Sequence, residues 1–148
     1  VAMAQSALTN AKHAELKQMA QNIISAQTTE ISQMQAWQKS WKGTQSVTVT
    51  YDGKAFSPVE VTIHAGDTVT FVNKSSGNMW VASGMHPTHI IYDGTDRSTH
   101  CGAGYTGAVP FDGCKASSAD YSFTFTKVGT WGFHDHINAS AYGKVIVE

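Results

Sequence analysis

"AFSPVEVTIHAGDTVTFVNKSS", residues 55–76, decides the fold of this chain. Its two halves, VEVTI and TVTFVN, alternate apolar with polar residues and are rich in Val, Thr and Phe, the pattern of strands that bury one face. The A-G-D between them is a turn signal. Working outward, VTVTY, YSFTFT, TWGF and KVIVE repeat the same pattern, and DG, KSSGN and KVGT supply further turns. Short strands at such spacings predict an antiparallel sandwich or barrel of about 100 residues.

The composition changes near Gly43. Residues 1–42 contain neither Gly nor Pro and are rich in Ala, Gln, Met and Lys, all compatible with helix. TNAKHAELK reads as a helix stop and restart, with Thr9 and Asn10 as turn or cap residues, so a second helix is expected from about Ala14 to Trp41. Its stripe of Leu16, Ala20, Ile23, Gln27, Glu30, Met34, Trp37 and Trp41, flanked by Ile24 and Ile31, is amphipathic with a polar middle. Such a stripe needs a partner, either the rest of the chain or another copy, so oligomerisation is expected. The expected domains are a helical arm over 1–42 and a β-domain over 43–148.

The 148 residues, 41% hydrophobic and 14% charged, suit a folded protein rather than a disordered one. A formal net charge of −1 with scattered Lys and Arg gives no field for nucleic acid. No run of about 18 apolar residues is present to span a bilayer. A start at Val1 suggests a processed product or a fragment. Cys101 and Cys114 bracket a Gly-rich stretch and admit a disulfide, half of a zinc site or two free thiols. The disulfide is the favoured reading, because a long irregular loop gains most from a covalent tie, and it points to an oxidising compartment.

The β-region resembles the cupredoxin family, the blue copper proteins such as plastocyanin and amicyanin. AFSPVEVTIHAGDTVTFVNKSS matches that family's opening, and YSFTFTKVGTWGFH followed by GKVIVE matches its close, together covering about residues 46–148. The resemblance implies a Greek-key β-sandwich behind the helical arm. It also exposes a departure. Laid over the family's F-H-C-x-x-H-x-x-M-x-G-K, the segment FHDHINASAYGK puts Asp135 in place of Cys, Asn138 in place of His and Ala141 in place of Met. A blue site, which needs the Cys thiolate, is excluded at this loop.

Four of the seven His nevertheless fall in the two loops that meet at one end of that fold: His86 and His89 in SGMHPTHIIYD, His134 and His136 in WGFHDHINASAYGK. Imidazoles suit Cu(II), Zn(II) and Ni(II), so a non-blue, type 2-like copper site is expected, with zinc as the alternative. Asp135 and Met85 are further candidates. Strand alternation puts His134 and His136 on one face and Trp131, Phe133 and Asp135 on the core face, so either the strand bulges or the pair binds from the outer face. His64 reads as a surface residue and His100 as loop.

The N-terminal segment MAQSALTNAKHAELKQMAQNIISAQTTEISQMQAW resembles the C-terminal half of the helical, ferritin-like family called domain of unknown function 305, over about residues 3–38. That family is often periplasmic. The combined expectation is a periplasmic, secreted or cell-surface protein that sequesters or delivers copper or confers tolerance to it. Electron transfer and a structural role in a surface assembly are the alternatives. No nucleophile triad, phosphate loop or carboxylate pair argues for an enzyme.

Overall fold

The computed structural model describes residues 2–148, and the side chains of 39–42, Trp41 among them, lie outside the described set. The chain divides into two compact units, Val1–Gly43 and Thr44–Glu148. In the first, α1 (Ala2–Asn10) and α2 (Ala14–Lys42) pack on each other across the expected break. Among the described residues, only Ala4 and Ala20 are buried there. Leu16, Ile23, Met34 and Trp37 of the predicted stripe, and Ile31 flanking it, stay exposed.

The second unit consists of β1 (Ser46–Tyr51), β2 (Phe56–Ser57), β3 (Glu60–Ile63), β4 (Thr68–Asn73), β5 (Val81–Ser83), α3 (Arg97–His100), β6 (Tyr121–Thr124), β7 (Gly129–Asp135) and β8 (Tyr142–Val147). The strands form two four-stranded sheets, ordered β2-β1-β4-β6 and β3-β8-β7-β5. Val49, Tyr51, Phe71 and Phe123 of one sheet share a single core with Val61, Ile63, Phe133, Val145 and Val147 of the other, which makes the unit a sandwich. The sheets are mixed rather than purely antiparallel: β1 pairs with β4, and β3 with β8, in parallel. The cause lies in the connectivity. The chain leaves the first sheet after β2, runs through β3 in the second and returns as β4 in the direction of β1.

The A-G-D turn makes that crossing possible. Gly66 sits at φ +105°, a conformation that costs an L side chain strain. Asp67, which is buried, accepts from the Gln45 N–H at 2.8 Å and the His64 N–H at 2.9 Å, tying the start of β1 to the end of β3. Burial works against the charged carboxylate, but those two donors prevail and hold its pKa below the usual range. His64 itself is exposed, as expected for this turn. Removing the carboxylate leaves two backbone donors short of partners, so Asp67→Ala is expected to lower stability by roughly 2–4 kcal/mol in urea unfolding.

Candidate metal centre

β7 keeps strict alternation to its end, pairing in unbroken register with β8 (His134 opposite Tyr142) and with β5 (Val81 opposite Asp135). No bulge intervenes, so the second of the two expected arrangements holds. Asp135 turns into the sandwich, where the Tyr51 hydroxyl donates to Oδ2 at 2.6 Å and the N–H groups of Trp80 and Ile137 donate to Oδ1 at 2.9 and 3.2 Å. Its carboxylate is thereby committed to cross-sheet bonding and stands apart from the histidines, so the structure does not bring it in as a ligand. Burial and the neighbouring Asp135 push the Tyr51 hydroxyl up to about 12, so it remains a donor.

His134 and His136 project to the opposite face, where the loop after β5 brings His86 and His89 against them. One nitrogen from each of the four rings lies within 4.8 Å of all the others. Two close pairs make up the group: His86 Nδ1 to His134 Nε2 at 3.3 Å, and His89 Nε2 to His136 Nδ1 at 2.9 Å. Nitrogens bound to a common ion at about 2.0–2.1 Å can be no more than about 4.2 Å apart. The four nitrogens would therefore have to draw somewhat closer to share one ion. His89 and His134 are buried, His136 is half-buried and His86 is exposed at the rim. Met85 is 65% exposed beside it, outside the cluster.

The backbone under His89 is unusual. It adopts φ 59°, in the left-handed region that non-glycine residues rarely enter, and is held there by the Ser83 hydroxyl donating to its carbonyl at 2.6 Å. Such strain persists where surroundings over-determine it and is common at functional sites.

Four residues outside the expected set orient the rings. Asp112 Oδ2 faces His89 Nδ1 at 2.5 Å and His100 Nε2 at 3.0 Å, while Oδ1 accepts from Trp80 Nε1–H and the Cys114 N–H, each at 2.7 Å. Burial pushes this carboxyl up, but the four donors outweigh it and the pKa falls well below the ordinary carboxylate range. Asp112 is therefore an acceptor throughout. Arg97, always a donor, reaches His136 Nε2 at 3.0 Å and lies 5.6 Å over the Trp80 ring. These partners fix the tautomers. With Nε2 accepting from Arg97, neutral His136 carries its proton on Nδ1 and donates to His89 Nε2, and His89 donates from Nδ1 to Asp112.

His100 was expected to be plain loop, yet its side chain is fully buried between Asp112 and Asp93. The sequence held one clue to this group. His100-Cys101 and Asp112-x-Cys114 flank the two cysteines, Cys101 and Cys114 are joined by a disulfide, and His100 and Asp112 meet beside it. Arg97 and Trp80 carry no comparable signal.

A family model described as Domain of unknown function (DUF305) matches residues 1–89. The chain belongs to that family. In this member the match runs through the helical unit and the first five strands to His89. Among solved structures, amicyanin from Paracoccus versutus (Thiobacillus versutus) aligns at 22% identity over 70% of this chain and 81% of that one, with a TM-score of 0.45. The Cu-containing nitrite reductase (NirK) from Thermus scotoductus SA-01 aligns at 22% identity over 70% of this chain and 22% of that one, TM-score 0.49. A purple cupredoxin from Nitrosopumilus maritimus aligns at 15% identity over 69% and 99%, TM-score 0.45. A search of curated proteins gives no match. No helix among the described residues is long and apolar enough to cross a membrane.

Burial, then the neighbouring rings of His89, His86 and His136, depress His134 from 6.5 to about 4. Burial, then the neighbouring His89 ring and the Arg97 guanidinium, depress His136 as well. The sign follows from linkage: the unfolded chain takes up a proton below about 6.5 that folded His134 refuses until about 4. The stability contributed by neutral His134 in the metal-free protein is thus fully present above about 6.5 and is lost as pH falls toward 4. Thermal melts from about pH 7 to about pH 4.5 should show a falling Tm, with a shallower slope in His134→Gln.

Proposed function

We propose that this protein binds one copper(II) ion through His86, His89, His134 and His136, and that it stores, delivers or buffers copper outside the cytoplasm. The observation carrying this reading is the convergence of four ring nitrogens within 4.8 Å, three of the rings wholly or partly buried. An all-imidazole donor set without thiolate suits Cu(II), Ni(II) or Zn(II), and copper(II) is bound most tightly of the three in the general affinity order. Bound in this way, copper supplies a type 2, weakly coloured centre.

The protein's own groups prepare and limit that site. Asp112 holds the His89 proton on Nδ1 and so leaves Nε2 free to ligate, the usual role of a carboxylate behind a metal-bound imidazole. His136 engages through Nδ1 only if its proton leaves that atom, so Arg97 has to release Nε2 during loading. His86, alone at the surface, is the point of entry and exit. The disulfide fits an oxidising compartment, which supports a periplasmic, secreted or surface location.

Titration of the metal-free protein with Cu(II), followed by EPR and visible absorption, should give one equivalent with a type 2 spectrum. The double variant His134→Ala, His136→Ala should lose it. Asp112→Asn should weaken binding about 10–100-fold while leaving the stoichiometry at one. Binding indifferent to these changes would remove the assignment.

A second feature bears on partners. Leu16, Met19, Ile23, Ile31, Met34 and Trp37 leave α2 with a long exposed apolar stripe, which fits association with another copy of the chain through the helical unit. Sedimentation at rising concentration should show a dimer or larger species that Ile23→Glu, Ile31→Glu returns to monomer.

A further inference from the structure

Beside the four histidines lies a second convergence of ligand-type atoms. His100, Cys101, Asp112 and Cys114 each offer one atom within 4.8 Å of the other three. In the structure the two sulfurs are bonded to each other, and the ring and carboxylate meet at 3.0 Å. We propose that the Cys101–Cys114 disulfide masks a second metal site: once a dithiol has reduced it, the two thiolates hold one zinc(II) ion together with His100 and Asp112.

The donor set suits the ion, since zinc takes four ligands drawn from thiolate, imidazole and carboxylate without a demand on their order. The supporting groups are already in position. His100 Nδ1 lies 3.1 Å from the Thr95 carbonyl and 3.4 Å from Asp93 Oδ2, acceptors that would take the ring proton on Nδ1 once zinc displaces it from Nε2, the nitrogen that donates to Asp112 while the disulfide is intact. Asp93 also accepts from the Thr95 hydroxyl and, at 3.3 Å, from Tyr105. Its other oxygen, Oδ1, is buried without any hydrogen-bond partner. A wholly buried carboxylate behind His100 with acceptor capacity unused is costly in a purely structural cluster. It suits a carboxylate–histidine–metal arrangement, in which cationic charge arrives in front of the ring.

The segments bearing these ligands do not depend on the disulfide for their place. Phe111 O accepts from the Ser83 N–H at 2.7 Å and the Gly113 N–H donates to Val81 O at 2.9 Å, so residues 111–113 are paired onto β5. The Arg97 N–H donates to Thr88 O at 2.8 Å, and the Asp96 side chain caps α3 through the Thr99 N–H at 2.9 Å. Reduction breaks the S–S bond with two electrons and two protons from the dithiol, which closes to its own disulfide. Zinc binding then expels the two thiol protons. The proposal does not rest on the copper reading, although the sites share Asp112.

The test uses the full chain, reduced with a dithiol and freed of reductant under anaerobic conditions, beside the oxidised protein. Each is titrated with cobalt(II), a spectroscopic substitute, and then with zinc(II), in wild type and in His86→Ala, His134→Ala, where the four-histidine group is disabled. The reduced protein should bind one more equivalent than the oxidised protein in both backgrounds, with a thiolate-to-cobalt charge-transfer band that zinc abolishes. His100→Gln, in which the disulfide can still form, should weaken that equivalent at least tenfold. Absence of the extra equivalent or of the band would overturn the proposal, as would tight binding unaffected by His100→Gln. Loss of near-UV circular dichroism on reduction that zinc does not restore would also overturn it. Copper binding by the four histidines without this second equivalent leaves the functional reading standing and removes this one; the reverse result does the opposite.

Discussion

The facing of β7 governs everything that follows, and one buried carboxylate holds it. Asp135 gathers Tyr51 from the opposite sheet, Trp80 from the segment before β5 and Ile137 from the chain after β7. A register slip of one residue would send Asp135 outward and His134 inward, because strand side chains alternate with period two. It would also leave the Tyr51 hydroxyl without its acceptor in a closed core. The interaction therefore selects the face on which the histidine pair emerges, although Asp135 touches none of the histidines that it positions.

On that outer face the polar groups solve a problem of burial. His89, His100 and Asp112 all have essentially no exposed side-chain surface, which would be costly for groups lacking partners. Asp112 resolves this by serving both rings with one oxygen and Trp80 and Cys114 with the other. The bonds run in series from Asp112 through His89 and His136 to Arg97, an anion at one end and a cation at the other. Neutral imidazoles between opposite charges need no net charge of their own, so the cluster is stable while its nitrogens remain close enough to share an ion.

The alternation in residues 46–73 and 121–147 made the sandwich legible, because a period-two pattern reports burial directly. It did not reveal the parallel pairings, since the same alternation serves either direction and only the crossing between sheets decides. His86, His89, His134 and His136 were legible as a group from their places in two loops of a resembled fold, but the choice between bulge and outer face needed the register of β5, β7 and β8. Asp112, Arg97 and Trp80 were not legible. Trp80 and Asp112 lie in irregular segments and Arg97 opens the four-residue α3, none with a period to read, at separations of 23 residues for Asp112–His89 and 39 for Arg97–His136. His100, expected as loop rather than ligand, is buried at the end of α3, and the clue to its contact with Asp112 lay in the paired cysteines close to both.

A donor set of four imidazoles, as proposed for this sandwich, asks more of the groups behind it than a thiolate does. A thiolate brings its own negative charge to a divalent ion, whereas four neutral rings bring none. The compensating charge must come from behind them. Asp112 supplies it, one hydrogen bond away from His89, and Arg97 at the far end of the chain of bonds opposes it. Retention of a cation at the proposed site would thus depend on which of the two dominates: motion of Arg97 off His136 would strengthen the anionic side, and withdrawal of Asp112 would weaken it. Asp112 itself is seated by the pairing of residues 111–113 onto β5 and by the Cys114 N–H, so the charge behind the histidines is fixed by backbone bonds of its own segment.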